Sequence, residues 1–244
     1  MYSKELGFER IAKVLARAGV ASRRNSEKLI TNGSISVNEV TVYDPSIKVS
    51  PKDIIRVNGI LVSSPGRIRM WRFHKPVGLV TSESDQKSRQ TVFDVLPEKL
   101  PRVISIGRLD IMSEGLLLLT NDGHLKRKLE LPASGIKRKY RVRARGVYRE
   151  ERLKSLRKGI IVDGDRFRPM EITLDKQQGA NSWYTVSLQE GKNREIRRAF
   201  KKIDLEVNRL IRVGFGPFQL GSLLRSEVKE VPTSQIKEIL RLLS

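Results

Sequence analysis

The residues best suited to chemistry in this sequence surround one aspartate. Asp110 ends the tetrapeptide Gly-Arg-Leu-Asp at 107–110, and an apolar run at 116–119 follows shortly after it. A carboxylate among basic groups can serve as a nucleophile or as a general base. An aspartate in a turn is more often structural, so a catalytic role for Asp110 needs support from other parts of the sequence.

Two further segments carry basic groups in a regular pattern. Helical spacing over 191–203 separates a basic face from an apolar face; the basic face contains Arg194, Arg197, Arg198 and Lys201, and the apolar face contains Ile196, Ala199, Phe200 and Ile203. Strand alternation over 137–145 sends Arg141, Arg143 and Arg145 to one side and Tyr140, Val142 and Ala144 to the other. An aromatic side chain among arginines is suited to stacking on an unpaired base.

The composition indicates a polyanionic partner. The chain has 244 residues, with 48 Lys and Arg against 27 Asp and Glu, so its formal net charge is +21. Such a field concentrates nucleic acid by steering and counterion release. The sequence has no cysteine, and its two histidines, His74 and His124, stand far apart, so we expect neither a thiol nucleophile nor a metal centre.

The sequence also bears on location and assembly. The longest apolar runs have four residues, far fewer than the roughly 20 needed to cross a bilayer. This length argues against a membrane span, and the absence of cysteine leads us to expect a cytoplasmic protein. No heptad pattern is present, which favours a monomer.

The first 62 residues read as a small module, joined by a turn-rich linker at 63–69 to a larger domain at 70–244. Apolar positions from Phe8 to Ala18 predict one helix that Gly19 ends. Ser22 is a candidate N-cap for a second helix that stops at Asn32 and Gly33. Short strands are predicted at 35–37, 40–42 and 54–57, before a turn at 58–59.

The larger domain reads as an α+β fold on a mainly antiparallel sheet. Strands are predicted at 70–73, 79–81, 103–106, 116–120, 140–144, 160–162, 171–174, 184–188 and 205–213, with residues 121–123 as a hairpin turn. Helices are predicted at 91–96, 150–158, 193–203 and 234–243.

Two helices, three short strands and a basic helix corner resemble the small RNA-binding module first recognised in a primary-binding protein of the small ribosomal subunit. The resemblance implies phosphate contacts by Arg10, Lys13, Arg17, Arg23, Arg24 and Lys28. These side chains could instead simply solvate two helix faces. A DNA-reading helix-turn-helix is a weaker alternative, because strands follow at once and no dimer segment is evident.

The order of motifs across nearly the whole chain resembles the bacterial ribosomal-RNA pseudouridine synthases. The motifs are Lys-Pro-Val-Gly at 75–78, Gly-Arg-Leu-Asp at 107–110 with Ser113 and Gly115, Lys-Tyr at 139–140, Glu-Gly-Lys-Asn-Arg-Glu-Ile-Arg-Arg at 190–198, Arg-Leu-Ile-Arg-Val at 209–213 and Gly-Pro at 216–217. One departure is Glu195, where many relatives carry Gln before Ile-Arg-Arg.

The resemblance implies that a uridine in ribosomal RNA, with the large subunit preferred, is isomerised so that the sugar is bonded to carbon 5 of uracil. Asp110 would attack the sugar's anomeric carbon, abstract a neighbouring sugar proton or, in an older proposal, attack the uracil ring. Tyr140 would stack on the flipped base, and Arg197 would pair with Asp110, which favours the ionised carboxylate. The resemblance further implies pocket walls from Arg108, Leu109, Leu210 and Ile211. The basic face of the helix at 191–203 is either solvated or bound to phosphate, and from the two basic segments we expect RNA contacts by Lys139, Arg141, Lys192, Arg194 and Arg198. No cofactor or metal is implied, and the partner would be ribosomal RNA or a pre-ribosomal particle.

Two other classes of function are alternatives to a pseudouridine synthase. A ribosome-assembly factor that binds RNA without catalysis fits the charge and the front module equally well, but it leaves Asp110 and Arg197 unexplained. A glycoside-cleaving enzyme would commonly use two carboxylates. Glu114 and Asp122 lie near Asp110 in sequence, but neither shows a reason to be a buried acid.

Overall fold

The structure is a computed structural model that describes residues 7–64 and 66–243. Residues 1–6, Pro65 of the predicted linker, and residue 244 lie outside the described residues. The chain divides into two compact units. One contains the described residues up to Ile68 together with Asn121–Gly123, and the other contains Arg69–Thr120 and His124 onward.

The first unit consists of two short helices and a small antiparallel sheet. Its elements are β1 (Glu9–Arg10), α1 (Ile11–Arg17), α2 (Arg23–Thr31), β2 (Ile35–Val37), β3 (Val40–Val42), β4 (Lys48–Val49), β5 (Ile55–Val57) and β6 (Ile60–Leu61). The sheet order is β3-β2-β5-β6, while β1 pairs with β4. Ile11, Leu15, Ile30 and Ile35 form its apolar centre.

Local signals in the first unit are largely confirmed. The Ser22 hydroxyl accepts a hydrogen bond from the Asn25 amide at 3.2 Å, as an N-cap should. Gly33 has φ +70° just after α2, and Asn58 and Gly59 both have positive φ between β5 and β6. The prediction for Phe8 is wrong: it precedes α1 and its side chain is 71% exposed, because β1 occupies the chain ahead of the helix.

The second unit contains one large sheet with helices and a small hairpin. Its strands are β7 (Met70–Lys75), β8 (Ile104–Ile106), β9 (Glu114–Thr120), β10 (Arg138–Arg145), β11 (Ile160–Val162), β12 (Asp165–Phe167), β13 (Glu171–Gln178), β14 (Asn181–Leu188), β15 (Glu206–Phe215), β16 (Phe218–Gln219) and β17 (Val228–Glu230). Its helices are α3 (Gly123–Glu130), α4 (Glu150–Lys158), α5 (Glu195–Lys202) and α6 (Thr233–Leu242), with 3-10 turns at Phe93–Val95 and Pro132–Ser134.

The strand order in the large sheet is β13-β14-β10-β15-β9-β7-β17, with β8 on β9 and β16 on β15. The pairs in this sheet are antiparallel except β15 with β9, which run parallel over two residue pairs. This short parallel contact joins the two halves of the sheet. The predicted α+β architecture with a mainly antiparallel sheet is therefore confirmed.

One face of the sheet packs on α4 and α5. Leu153 and Leu156 of α4 and Ile196 and Phe200 of α5 share an apolar core with residues of β10 and β14. The Phe200 ring meets the Tyr184 ring edge-on, with centroids 5.4 Å apart. This packing fixes α5 against the sheet.

Three predicted elements differ from the structure. Residues 121–123 do not form a hairpin turn, because α3 begins at Gly123 and buries Leu125 and Leu129. Residues 79–81 contribute one isolated bridge, between Val80 and Thr91. The helix predicted at 91–96 is a 3-10 turn at Phe93–Val95. Among the described residues, no helix has the length and apolarity needed to cross a membrane.

Candidate active site

A cleft of about 1530 Å³ opens in the second unit where the 107–113 loop, β10, β15 and the segment before α5 meet. It exceeds the range of about 300 to 1,000 Å³ typical of small-molecule pockets. Of the residues predicted for catalysis or the pocket, the cleft is lined by Arg108, Leu109, Asp110, Tyr140 and Leu210.

The loop that carries Asp110 is tied to its surroundings through its backbone. The Thr81 hydroxyl donates to the Leu109 carbonyl at 2.8 Å, and the Leu109 amide lies 3.3 Å from the same hydroxyl oxygen. The Gly78 amide donates to the Ile111 carbonyl at 2.8 Å. Within the described part of the chain, the Asp110 carboxylate itself receives no hydrogen bond and forms no ion pair. The loop is therefore fixed while the carboxylate stays available to a substrate.

Lys75, the last residue of β7, supports this loop through hydrogen bonds to its backbone. Its side chain is fully buried, and Nζ donates to the carbonyls of Ser113 at 2.9 Å, Pro76 at 2.9 Å and Asp110 at 3.3 Å. Burial lowers the pKa of Lys75 to about 8, although the negative charges of Asp110 and Glu114 act to raise it. Lys75 belongs to the Lys-Pro-Val-Gly motif at 75–78, but the spacing of residues in the sequence does not indicate that its side chain supports the Asp110 loop.

Arg197 on α5 reaches the same loop from another side. Its guanidinium donates to the Met112 carbonyl at 2.8 Å and to the Val207 carbonyl at 2.7 Å. The expected direct pairing with Asp110 is not present among the described residues; the Asp110 charge acts on Arg197 only at longer range. Burial and the neighbouring Arg194 lower the pKa of Arg197, and the Asp110 charge opposes this. Arg197 thus clamps the loop backbone to β15.

The wall opposite the loop comes from β10 and β15. Tyr140, 8% exposed, pairs across the strands with Arg212, and Leu210 pairs with Val142 on the same side. Ile211 does not line the cleft, so its assignment to the pocket is wrong: strand alternation sends it to the other side of the sheet, opposite Arg141.

Two cleft arginines were not singled out from the sequence. Arg138 lies two residues before Tyr140 and Arg212 two residues after Leu210, so both share the cleft face. The guanidinium carbons lie 5.0 Å and 5.5 Å from the Phe215 ring centroid. One terminal nitrogen of Arg212 is buried without a hydrogen-bond partner among the described residues. The two-residue period of a strand predicts that Arg138 and Arg212 lie on the same face as Tyr140 and Leu210.

A pair of glutamates lines the cleft beside α5. Glu195 is 4% exposed, and its Oε2 accepts from the Lys192 amide at 3.0 Å, while its Oε1 receives no bond from a described donor. Glu190 accepts from the Arg168 amide at 2.5 Å. Burial and the adjacent Glu190 raise the pKa of Glu195 to about 8, and the donors around Glu190 lower the pKa of Glu190 despite its burial. The two carboxyl groups are therefore set up to share one proton.

The basic residues predicted to bind RNA in this unit fall into three groups. Lys192 and Arg194 line the cleft. Arg198 lies outside it and is engaged by Asp165 at 2.6 Å and Asp163 at 3.3 Å. Lys139 and Arg141 project from the opposite side of the sheet to Tyr140 and are exposed.

In the first unit, the six predicted RNA contacts also differ in their surroundings. Glu9 binds Lys13 at 2.5 Å and Arg17 at 2.7 Å, and Glu27 lies 3.8 Å from Arg23. Arg10, Arg24 and Lys28 are exposed and form no ion pair with another described residue. These three are the cations of the module most available to an outside anion.

Two family models match this chain. The RNA pseudouridylate synthase family matches residues 69–202, and the S4 domain matches residues 9–55. A Rickettsia felis protein named as an uncharacterized RNA pseudouridine synthase is 48% identical over 224 residues, which are 92% of this chain and 97% of that protein. The large-subunit pseudouridine synthase B of Salmonella typhi is 38% identical over 218 residues, which are 87% and 75% of the two chains.

A solved structure shows the same fold. The crystal structure of a pseudouridylate synthase superimposes with a TM-score of 0.68 at 24% identity, and the match covers 94% of this chain and 99% of that one. The family is assigned by the family match over more than half of the chain and by the relative that is 48% identical. The chain belongs to the RNA pseudouridine synthases, the enzymes that isomerise uridine in RNA, and carries an S4 domain at its front.

Proposed function

We propose that this enzyme isomerises a uridine of ribosomal RNA, with the large subunit preferred, and that Asp110 is its catalytic carboxylate. One observation carries the proposal. The Asp110 carboxylate lines the cleft and has no hydrogen-bond or ion-pair partner among the described residues, while the backbone of its loop is held by hydrogen bonds. The large-subunit preference is supported by the name of the Salmonella relative and by the Asn-Arg-Glu-Ile-Arg-Arg motif at 193–198.

The reaction breaks the bond between the sugar and N1 of uracil and forms a bond from the same sugar carbon to C5. The proton on C5 is lost, and N1 gains a proton, so atoms balance and no cofactor is consumed. Asp110 would act as the nucleophile at the anomeric carbon or as the base that abstracts a neighbouring sugar proton. Tyr140 would stack on the base and assist removal of the C5 proton.

Extrusion of the nucleotide from folded RNA costs a few kcal/mol, which stacking and phosphate contacts can offset. Arg138, which lines the cleft beside Phe215, would contact the phosphate of a nucleotide bound there. Lys192 and Arg194 would contact the adjacent backbone. A ribosomal RNA substrate also agrees with the expected cytoplasmic location.

The test is tritium release from transcripts of both ribosomal subunits labelled at C5 of uridine. Wild-type protein should release tritium from one subunit's RNA, and Asp110→Asn should abolish release while RNA binding persists. Glu98→Gln, the same chemical change at an exposed acid away from the cleft, should act like wild type. Release by Asp110→Asn at the wild-type rate would remove Asp110 from the mechanism. Binding of RNA by wild type without release from any substrate, assembly intermediates included, would favour the non-catalytic assembly factor.

A further inference from the structure

The side of the large sheet opposite the cleft carries an unusual row of cations. Along β10 alternate side chains point away from the core, and the cationic ones are Lys139, Arg141, Arg143 and Arg145. At about 3.4 Å per residue, neighbours in this row stand about 7 Å apart. We call this surface the arginine face; it also includes Trp183 of β14 and Arg209 of β15.

The strand on one side of the row offers no negative charge. Across β14, the four cations face Ser187, Thr185, Trp183 and Asn181 in turn. Across β15, Arg143 faces a further cation, Arg209. Like charges directly opposite each other destabilise a sheet. Folding alone therefore gives no reason for this arrangement.

Carboxylates compensate only part of the charge. Asp175 lies 3.8 Å from Arg141, and Glu114 binds Arg209 at 2.5 Å. Lys139, Arg143 and Arg145 form no ion pair with any described residue, although Glu206 stands opposite Arg145 in the strand register. Three of the four cations in this row of β10 thus remain open to an external anion.

Trp183 arranges two of the guanidinium groups. The Arg141 guanidinium carbon lies 4.9 Å from its ring centroid, and that of Arg209 lies 6.0 Å away. A guanidinium held on an aromatic ring loses less side-chain entropy when it binds a phosphate. Trp183 therefore orders Arg141 and Arg209, the two cations of the arginine face that also lie near a carboxylate.

We propose that the arginine face is a second RNA-binding surface, which contacts the phosphate backbone of the substrate RNA at a distance from the target nucleotide. The occupant follows from the charge, since open cations at a regular spacing along a strand match a polyanionic backbone. The cleft cannot serve the same segment, because Tyr140 and the cations of the row point to opposite sides of β10. The inference rests on RNA as the ligand and not on which uridine is modified.

The test compares two double variants in RNA binding and turnover. Arg143→Ser with Arg145→Ser removes two cations of the row without touching the cleft. Lys99→Ser with Lys237→Ser removes the same charge from exposed sites elsewhere. Each protein is titrated with a long ribosomal RNA transcript over about 50 to 200 mM salt. Tritium release is measured on that transcript and on the shortest stem-loop that wild type still modifies.

The arginine-face variant should bind the long transcript on the order of tenfold more weakly, and its log–log salt slope should be smaller by about 1.5, as for two lost phosphate contacts. The control should keep the wild-type slope, and both variants should turn over the stem-loop at the wild-type rate. An unchanged slope and affinity in the arginine-face variant would overturn the proposal, and so would equal losses in the control. Absence of tritium release by wild type would refute the proposed function, while the binding titration would still decide this inference.

Discussion

The ammonium of Lys75 supports the backbone of Asp110. Its Nζ lies 3.3 Å from the Asp110 carbonyl and 2.9 Å from the Ser113 carbonyl, in a position without solvent access. Because the loop between these carbonyls carries the carboxylate proposed for catalysis, the position of Asp110 depends on a buried cation on β7. A positioning role predicts loss of turnover with little loss of RNA binding.

We expect Lys75→Met to lower kcat on the order of 100-fold or more, since small misplacement of a reacting group has effects of that size. KM and RNA affinity should change little, because Lys75 does not line the cleft. Single-turnover tritium release measures the step directly. Lys229→Met on β17, an exposed lysine, serves as the matched control. A Lys75→Met enzyme with wild-type kcat would show that the loop holds its geometry without this cation.

Arg197 provides a test of charge against geometry. Its guanidinium uses two different nitrogens, Nη2 for the Met112 carbonyl at 2.8 Å and Nη1 for the Val207 carbonyl at 2.7 Å, whereas a lysine offers a single nitrogen without this fork. We therefore expect Arg197→Lys to reduce kcat nearly as much as Arg197→Met. Turnover close to wild type in Arg197→Lys, with a loss confined to Arg197→Met, would instead show that its positive charge near Asp110 is what matters.

Gly115 permits the junction between the two halves of the sheet. Its φ is +105°, and a Cβ there would lie 2.3 Å from the Arg212 carbonyl oxygen and 2.8 Å from the Arg212 amide nitrogen. Both neighbours are backbone atoms of β15, so β9 and β15 would have to separate. We expect Gly115→Ala to reduce the free energy of unfolding by about 2 to 4 kcal/mol.

The variant Gly164→Ala shows how much of the effect of Gly115→Ala comes from backbone strain and how much from the clash with Arg212. Gly164 has φ +81°, but a Cβ there meets no atom within 4 Å. It should cost about 1 to 2 kcal/mol, since only the backbone strain remains. Urea unfolding of both variants gives the comparison, and equal losses would show that strain alone explains Gly115→Ala.

Local signals in the sequence predicted most elements, because caps, periodicity and alternation act over a few residues. Helix α4 was predicted with its observed bounds, and β10 with its two faces. Helix α3 was missed because Asn-Asp-Gly at 121–123 favours a turn, while the burial of Leu125 and Leu129 outweighs that local preference. Such tertiary effects cannot be read from neighbours in sequence.

The candidate site shows the same limit. Motif order placed Asp110, Tyr140 and Leu210 together, and all three line one cleft. It did not show that Arg197 binds backbone carbonyls instead of the Asp110 carboxylate, because the reach of a long side chain depends on how α5 packs. Ile211 was misplaced although strand alternation alone separates it from Leu210.

Glu195 makes stability depend on pH. In the unfolded chain its pKa is near 4.5, and burial beside Glu190 raises it to about 8 in the folded protein. Between these pH values the folded protein holds a proton that the unfolded chain has lost, so the free energy of unfolding falls as pH rises. Each pH unit contributes about 1.4 kcal/mol, so the whole effect between pH 4.5 and about pH 8 is at most about 5 kcal/mol. Lys192 and Arg138 are the cations that face Glu195, and both act against the proton.

Glu195→Gln should remove this dependence, because an amide cannot ionise yet can still donate a hydrogen bond to Glu190. We expect the stability advantage of Glu195→Gln over wild type to be small near pH 5 and to grow steadily toward pH 8. Urea unfolding at a series of pH values measures it, with Glu98→Gln as the exposed control. Parallel curves for Glu195→Gln and wild type would mean that Glu195 is ionised in the folded protein. A difference in the free energy of unfolding that grows with pH would mean that the Glu195 carboxyl group, at the N-terminus of α5, is neutral in the folded protein. A glutamine there would make the same contact with Glu190.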